Sequence, residues 1–364
     1  MKILFVFNHP APYKVRLFNE ICKSIELDVI FERKSASDRP ADFYNCNKYN
    51  FNVMFLKKGA FSRENSNTGE LKKYIAENFK KYDLIVMNGY STLTEIRAIK
   101  YLQRHHIPYV MYVNGGVIRK ESFFKKKFKT DLVKGAFHFF SPCEEANEYL
   151  AYYGARKSKI SNYIYSTVYE KDVIDAPLSD ADKQLLRAKY NLPSGKIFVS
   201  AAQFISRKNN VQLITEFIGR KEALLLIGSG PEKEEYERII RDNKLTNVII
   251  KDFLPKDELF KLMRCCDYFV TLSKEDIFGH TLNEAMACGL PVISSRNVVA
   301  SHHLIKEGYN GYLVDLDDHK EIQKALDSVK SSMSQNAINT AKENTIEESA
   351  KMHVELFKEV AKCE

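Results

Sequence analysis

Ser273-Lys-Glu-Asp-Ile-Phe-Gly-His-Thr-Leu-Asn-Glu-Ala-Met-Ala-Cys-Gly-Leu-Pro-Val-Ile293 reads as loop, helix, stop and strand. Thr281 is placed to cap the helix, Gly289 suits its C-terminal turn, and Pro291 opens the next strand. A loop that runs into a helix N-terminus presents unpaired N–H groups, and these bind phosphate oxygens. Gly279 lets a ligand approach the backbone. Asp276 and Glu284 flank the loop. Carboxylates beside a phosphate site repel the phosphate itself and suit hydroxyl groups, hence a sugar or a ribose.

Strands and helices alternate outward from this segment. Upstream lie apolar runs at Ile197–Ala201, Ala223–Ile227, Val248–Lys251 and Tyr268–Leu272. Helical spacing fills Asn210–Phe217, Pro231–Asp242 and Lys256–Arg264 between them. The same rhythm occupies the first half, with strands at Lys2–Phe7, Leu27–Phe31, Phe51–Leu56, Leu84–Met87, Pro108–Val113 and Phe137–Phe140. Continuous apolar strands separated by helices indicate buried parallel sheets. Residues about 165–195 break the pattern with Ala176-Pro177 and Leu192-Pro193-Ser194-Gly195. The chain of 364 residues therefore reads as two Rossmann-like domains, 1–167 and 168–345. An amphipathic tail, 346–364, is expected to pack back on the first.

Hydrophobic residues make up 45% and charged residues 28%, which excludes wholesale disorder. The net charge of +8 favours phosphate-bearing partners without choosing among them. Seven cysteines (22, 46, 143, 265, 266, 288, 363) form no CxxC pair, which argues against a disulfide framework or zinc site and fits a reducing cytoplasm. The apolar run after Lys2 is too short for a signal sequence, and no stretch approaches a membrane span, so membrane contact is expected to be peripheral.

The Ser273–Ile293 segment resembles the signature of the retaining glycosyltransferases of family 4, with the GT-B fold. In that signature two acids with seven residues between them surround an FG loop before an EAMA-x-G-x-P helix. Asp276 holds the first acid position, Glu284 the second, and Glu275 lies one residue out of register. The resemblance implies an α/β chain of GT-B type, two doubly wound parallel-sheet domains facing a cleft, with a nucleotide sugar bound there. It implies that the first acid contacts the transferred sugar, that Glu284 holds the ribose, and that Phe278, Gly279, His280, Thr281 and Leu282 lie around the donor. The resemblance covers about residues 195–315 strongly and 1–165 weakly.

Three further segments carry it. In Ala201–Asn210, Lys208 matches the family's lysine, while Gln203 stands where an arginine is usual and Asn209 where a glycine is usual; Arg207 is at hand to supply the missing charge. Cations there would stabilise a departing diphosphate. Leu226-Ile-Gly-Ser-Gly-Pro-Glu232 resembles the family's Gly-x-Gly-Pro turn, and Gly228 and Phe253 are implied to lie around the nucleoside. GxG also occurs in dinucleotide sites, but the third glycine is absent. Asn114, at the end of the Pro108–Val113 strand, stands where the family has a histidine aimed at the donor sugar. Asparagine can bond a hydroxyl but cannot shuttle a proton.

Arg119–Lys134 mixes Phe123, Phe124 and Phe128 with lysines, a pattern for an anionic membrane surface or for a helix with its rings in the core. His9, Tyr13, Lys14 and Arg16 read as local surface features, and Asp315-Leu-Asp317 as a turn. No nucleic-acid motif accompanies the charge. The expectation is sugar transfer with retention from a nucleotide sugar, UDP-sugar favoured, to a hydroxyl of a glycan or lipid-linked acceptor. The setting implied is bacterial surface-polysaccharide synthesis, in the cytoplasm or on the inner face of the membrane, with no cofactor and no metal. A non-catalytic GT-B binding protein and a nucleotide-sugar epimerase are the alternatives.

Overall fold

The computed structural model describes residues 1–35, 44, 48–56, 68–276 and 278–362. Cys46, Cys363 and Ile277 lie outside them. Two compact units emerge: Met1–Tyr165 with Ile346–Glu364, and Ser166–Thr345.

The first unit begins β1 (Lys2–Phe7), α1 (Pro12–Ile21), β2 (Glu26–Phe31), β3 (Asn52–Phe55), α2 (Glu70–Asn78), β4 (Leu84–Asn88) and α3 (Leu93–Arg104). It continues β5 (Val110–Tyr112), α4 (Phe123–Val133), β6 (His138–Ser141), α5 (Glu144–Tyr152) and β7 (Ile160–Asn162). All seven strands are parallel, in the order β3-β2-β1-β4-β5-β6-β7. Residues 3–7 of β1 are all buried, because helices cover a parallel sheet on both faces. Local chemistry sets the helix starts: Pro12 sits in the first turn of α1, Thr92 and Glu95 form a reciprocal capping box on α3, and the Ser122 hydroxyl caps α4.

The second unit contains α6 (Asp180–Lys189), β8 (Ile197–Ala201), α7 (Asn210–Glu216), β9 (Ala223–Ile227), α8 (Lys233–Asp242), β10 (Val248–Lys251) and α9 (Lys256–Arg264). Then come β11 (Tyr268–Thr271), α10 (His280–Ala287), β12 (Val292–Ser295), α11 (Ser301–Leu304), β13 (Gly311–Val314), α12 (His319–Ser328) and α13 (Ser334–Glu343). Its six parallel strands run β10-β9-β8-β11-β12-β13. The order reverses between β8 and β11, the point outside the strand ends at which open α/β sheets bind ligands.

The last helix, α14 (Ile346–Ala361), belongs to the first unit. Ala350, Val354, Phe357 and Val360 join Phe5, Val15, Phe18 and Ile21 in one apolar cluster. Among the described residues no helix is long and apolar enough to cross a membrane. Cys22, Cys143, Cys265, Cys266 and Cys288 are free thiols. The Asp317 amide donates to the Asp315 carboxylate at 3.0 Å, so Asp315-Leu-Asp317 is the expected turn. The helix expected from Pro231 begins two residues later, because the Glu232 amide first donates to the Phe204 carbonyl.

Candidate functional site

The loops after β8 and β11 clasp each other at the reversal point of the second sheet. The Lys274 amide donates to the Arg207 carbonyl at 2.8 Å, and the Arg207 guanidinium to the Glu275 carbonyl at 3.3 Å. Lys208 ion-pairs with Asp276, their side chains 12% and 17% exposed. Asn209 follows at φ 56°, a left-handed conformation that asparagine tolerates far better than most residues. That explains how it stands where a glycine is usual. Gln203, on the same loop, is exposed.

The start of α10 differs from the expected cap. Gly279, not Thr281, holds the N-cap position, at φ 96°, and no side chain caps the helix. A Cβ on Gly279 would lie 2.4 Å from Val298 Cγ1, so glycine is required on steric grounds as well as conformational ones. Phe278 is tied down by its carbonyl, which accepts from the Ala300 amide at 2.7 Å. His280 and Thr281 form the first turn, and the Phe278 and His280 rings lie 5.0 Å apart. The Leu282 side chain is fully buried and its amide donates to the Gly279 carbonyl at 3.1 Å. Gly289 and Leu290 close the helix as expected, their amides donating to Met286 and Ala285 carbonyls.

Glu284 sits one turn into α10 and is half-buried. Its Oε1 accepts a hydrogen bond from the Thr167 hydroxyl at 3.0 Å. The Thr167 carbonyl in turn accepts from Lys256 Nζ at 3.1 Å, and Lys256 pairs with Asp172 at 2.7 Å. Sequence reasoning passed over Thr167, Asp172 and Lys256, because nothing in the chain order signals a contact across 117 positions.

Gly228 and Gly230 serve close backbone approach. A Cβ on either would strike the Ala202 or Phe204 carbonyl, and the Phe204 amide donates to Ser229. Phe253, just beyond β10, is 72% exposed.

In the first unit, Asn114 lies two residues beyond β5, and its amide donates to Asn88 Oδ1 at 2.9 Å. Lys14 is not the surface residue expected: it is 1% exposed. Its ammonium lies over the Tyr112 and Tyr165 rings and donates to the Tyr112 hydroxyl at 2.9 Å, and burial holds its pKa well below the usual lysine range. Burial and the Glu32 charge push Glu95 up to about 8. Phe123 and Phe124 are 74% and 82% exposed, with Val117, Ile118 and Phe128 also in water. Arg119, Lys120, Lys125 and Lys127, their neighbours in the chain, are exposed too, and the rings of this segment do not belong to the core.

The family model described as Glycosyl transferases group 1 matches residues 182–347. N-acetyl-alpha-D-glucosaminyl L-malate synthase of Bacillus anthracis is 30% identical over 165 residues, covering 44% of this chain and 40% of its own. The match thus spans only two fifths of that relative's length. The O-antigen biosynthesis glycosyltransferase WclY of Escherichia coli is 22% identical over 263 residues, 68% of this chain and 72% of its own. HepE of Anabaena, crystallised with UDP, has a TM-score of 0.78 at 18% identity, covering 99% of this chain and 100% of its own. That likeness is one of fold: two parallel-sheet α/β units of GT-B type.

Proposed function

We propose that this GT-B chain, whose residues 182–347 match the family model described as Glycosyl transferases group 1, transfers a sugar, with retention, from a nucleotide sugar to a hydroxyl acceptor. The observation that carries this reading is the meeting of Lys208, Asp276 and the start of α10 where the strand order of the second sheet reverses. A cation and a helix N-terminus suit a diphosphate, and the neighbouring carboxylates suit hydroxyls.

In this reading the donor diphosphate lies on the first turn of α10, Gly279 to Thr281, with Lys208, Arg207 and Gln203 stabilising charge as it departs. It must displace Asp276 from Lys208 to do so. The released Asp276, or Glu275 beside it, then takes a hydroxyl of the transferred sugar, and Asn114 bonds another. Glu284 grips the ribose, Phe253 stacks on the base, and Gly228, Phe278, His280 and Leu282 shape the surroundings. The leaving phosphate itself takes the acceptor proton, so Asn114 need not shuttle one. No metal or cofactor is required.

The donor is a UDP-sugar, a choice supported by the UDP in HepE. The transferred unit is a hexose or N-acetylhexosamine. The acceptor is a glycan or lipid-linked hydroxyl in bacterial surface-polysaccharide or glycoconjugate synthesis, a setting supported by the name of the E. coli relative. The enzyme works in the cytoplasm, held to an anionic inner membrane face by residues 119–134, whose exposed rings and lysines suit that surface.

A donor panel incubated with glycan and lipid-linked acceptors, products read by mass spectrometry, tests the reading. Glu284→Ala and Lys208→Ala each lower transfer by about 100-fold or more with unchanged circular dichroism. Full activity in both would remove these roles, and conversion of the donor without acceptor would point to an epimerase instead.

A further inference from the structure

We infer that Thr167 is a positioning residue that fixes the Glu284 carboxylate for the paired hydroxyls of the nucleotide ribose; the inference rests on the donor site proposed above. A carboxylate that grips two adjacent hydroxyls must hold its plane, since each hydroxyl needs a lone pair in a set direction. A glutamate on one helix turn has three rotatable bonds and cannot hold that plane alone. The Thr167 hydroxyl carries a single hydrogen and donates it to Glu284 Oε1 at 3.0 Å. Threonine suits the task because branching at Cβ stiffens its first torsion.

The bond works only if Thr167 is itself immobile, and its surroundings supply that. Its carbonyl accepts from Lys256 Nζ at 3.1 Å, and Lys256 is ion-paired with Asp172 at 2.7 Å. The Arg264 guanidinium donates to the Asp172 carbonyl at 3.0 Å. On the other side, the Ser166 hydroxyl donates to the Asn344 carbonyl at 2.7 Å. Asn283 Nδ2 donates to that same carbonyl at 2.6 Å and to Ser166 Oγ at 3.2 Å. Consecutive residues of one segment, Ser166 and Thr167, are therefore tied to consecutive residues of α10, Asn283 and Glu284. The segment holds the ribose acid and not the phosphate-facing first turn, which predicts an effect confined to the pentose.

The test compares ligands with and without that pentose. UDP, GDP and ADP are titrated by calorimetry into the full-length protein, and the tightest is carried forward beside inorganic pyrophosphate. Thr167→Val weakens the nucleoside diphosphate about tenfold, the usual worth of one hydrogen bond to a charged group, and leaves pyrophosphate within about twofold. Donor KM rises by a similar factor while kcat stays within about threefold. Thr167→Ser, which keeps the hydroxyl, restores both values. Thr167→Ala replaces the valine variant if thermal denaturation shows that valine does not fold. Wild-type nucleotide affinity in the valine or alanine variant overturns the inference, as does equal loss of nucleotide and pyrophosphate, or a serine variant no better than valine. Glu284→Ala is run alongside. If it loses nucleotide affinity while Thr167→Val keeps it, only the role of Thr167 falls. If Glu284→Ala binds as wild type, or no diphosphate binds the wild type, the ribose reading falls and takes the inference with it.

Discussion

Lys208 and Asp276 illustrate what a single pair does to a binding site. An ion pair this sheltered weakens any incoming anion, because the ammonium must first part from its carboxylate. Asp276→Asn removes the competitor, so UDP and pyrophosphate are expected to bind about threefold to tenfold more tightly. Sugar transfer is expected to fall at least about tenfold, since the amide holds a sugar hydroxyl less strongly than a carboxylate does. Calorimetry and steady-state rates check the two signs together; unchanged or weaker pyrophosphate binding removes the competition. Both residues stand out in the sequence through the resemblance to the family's signature. Their contact was not, because it depends on two loops 68 positions apart meeting at one point of the sheet. Lys14 was misread for a related reason: four charged or aromatic residues after a strand resemble a surface, and only the packed Tyr112, Tyr163 and Tyr165 rings reveal a core.

Among elements, α4 departs most from the behaviour of a soluble helix. Only Leu132 and Val133 of its residues are buried, while its first turn offers two phenylalanines to water. Vesicles with about a third anionic lipid are expected to bind the protein, with affinity falling as salt rises. Phe123→Ser with Phe124→Ser should cut that binding about tenfold or more and leave the unfolding temperature nearly unchanged, because the rings support no core. Equal sedimentation of both proteins with vesicles would exclude α4 as the contact. Spacing announced this helix but could not say which face met the sheet, since lysines and phenylalanines alternate too closely for one clean stripe. The strands were easier: apolar runs such as Leu84–Met87 and Ala223–Ile227 fit a doubly wound α/β chain only as buried strands. The start of α10 was harder, because Gly279 caps through its backbone angle and Val298, which lies beyond the helix in the chain.

At the scale of the molecule, α14 closes a unit begun more than three hundred residues earlier, and its docking is expected to weaken in acid. Lys14 Nζ donates to the Tyr112 hydroxyl at 2.9 Å, which lies 3.3 Å from His353 Nε2, while His353 Nδ1 lies 2.7 Å from the Ser349 carbonyl. A neutral His353 with its proton on Nδ1 satisfies every partner. Burial, with a smaller contribution from the Lys14 charge, holds its pKa down at about 3. The unfolded chain takes up the proton near pH 6.5 and the folded one does not. Stability from this site is therefore complete above about pH 6.5 and is lost as pH falls toward 3. Lys14, also depressed, acts in the same direction. Between pH 6.5 and 5 the loss from His353 approaches 2 kcal/mol, or roughly 4–8 °C in the unfolding midpoint. His353→Gln should flatten that dependence, and parallel pH curves for the two proteins would show that the histidine does not titrate on unfolding.

Placing α14 in the first unit also orders events on the ribosome. Emergence is from the N-terminus, so β1 to β7 appear early yet lack Ala350, Val354, Phe357 and Val360 to cover one side of their core. The second unit, Ser166–Thr345, has all of its own residues before that cover exists. The half made first is thus the half completed last, and a ribosome that stalls between these points holds one finished domain beside one with a bare apolar flank.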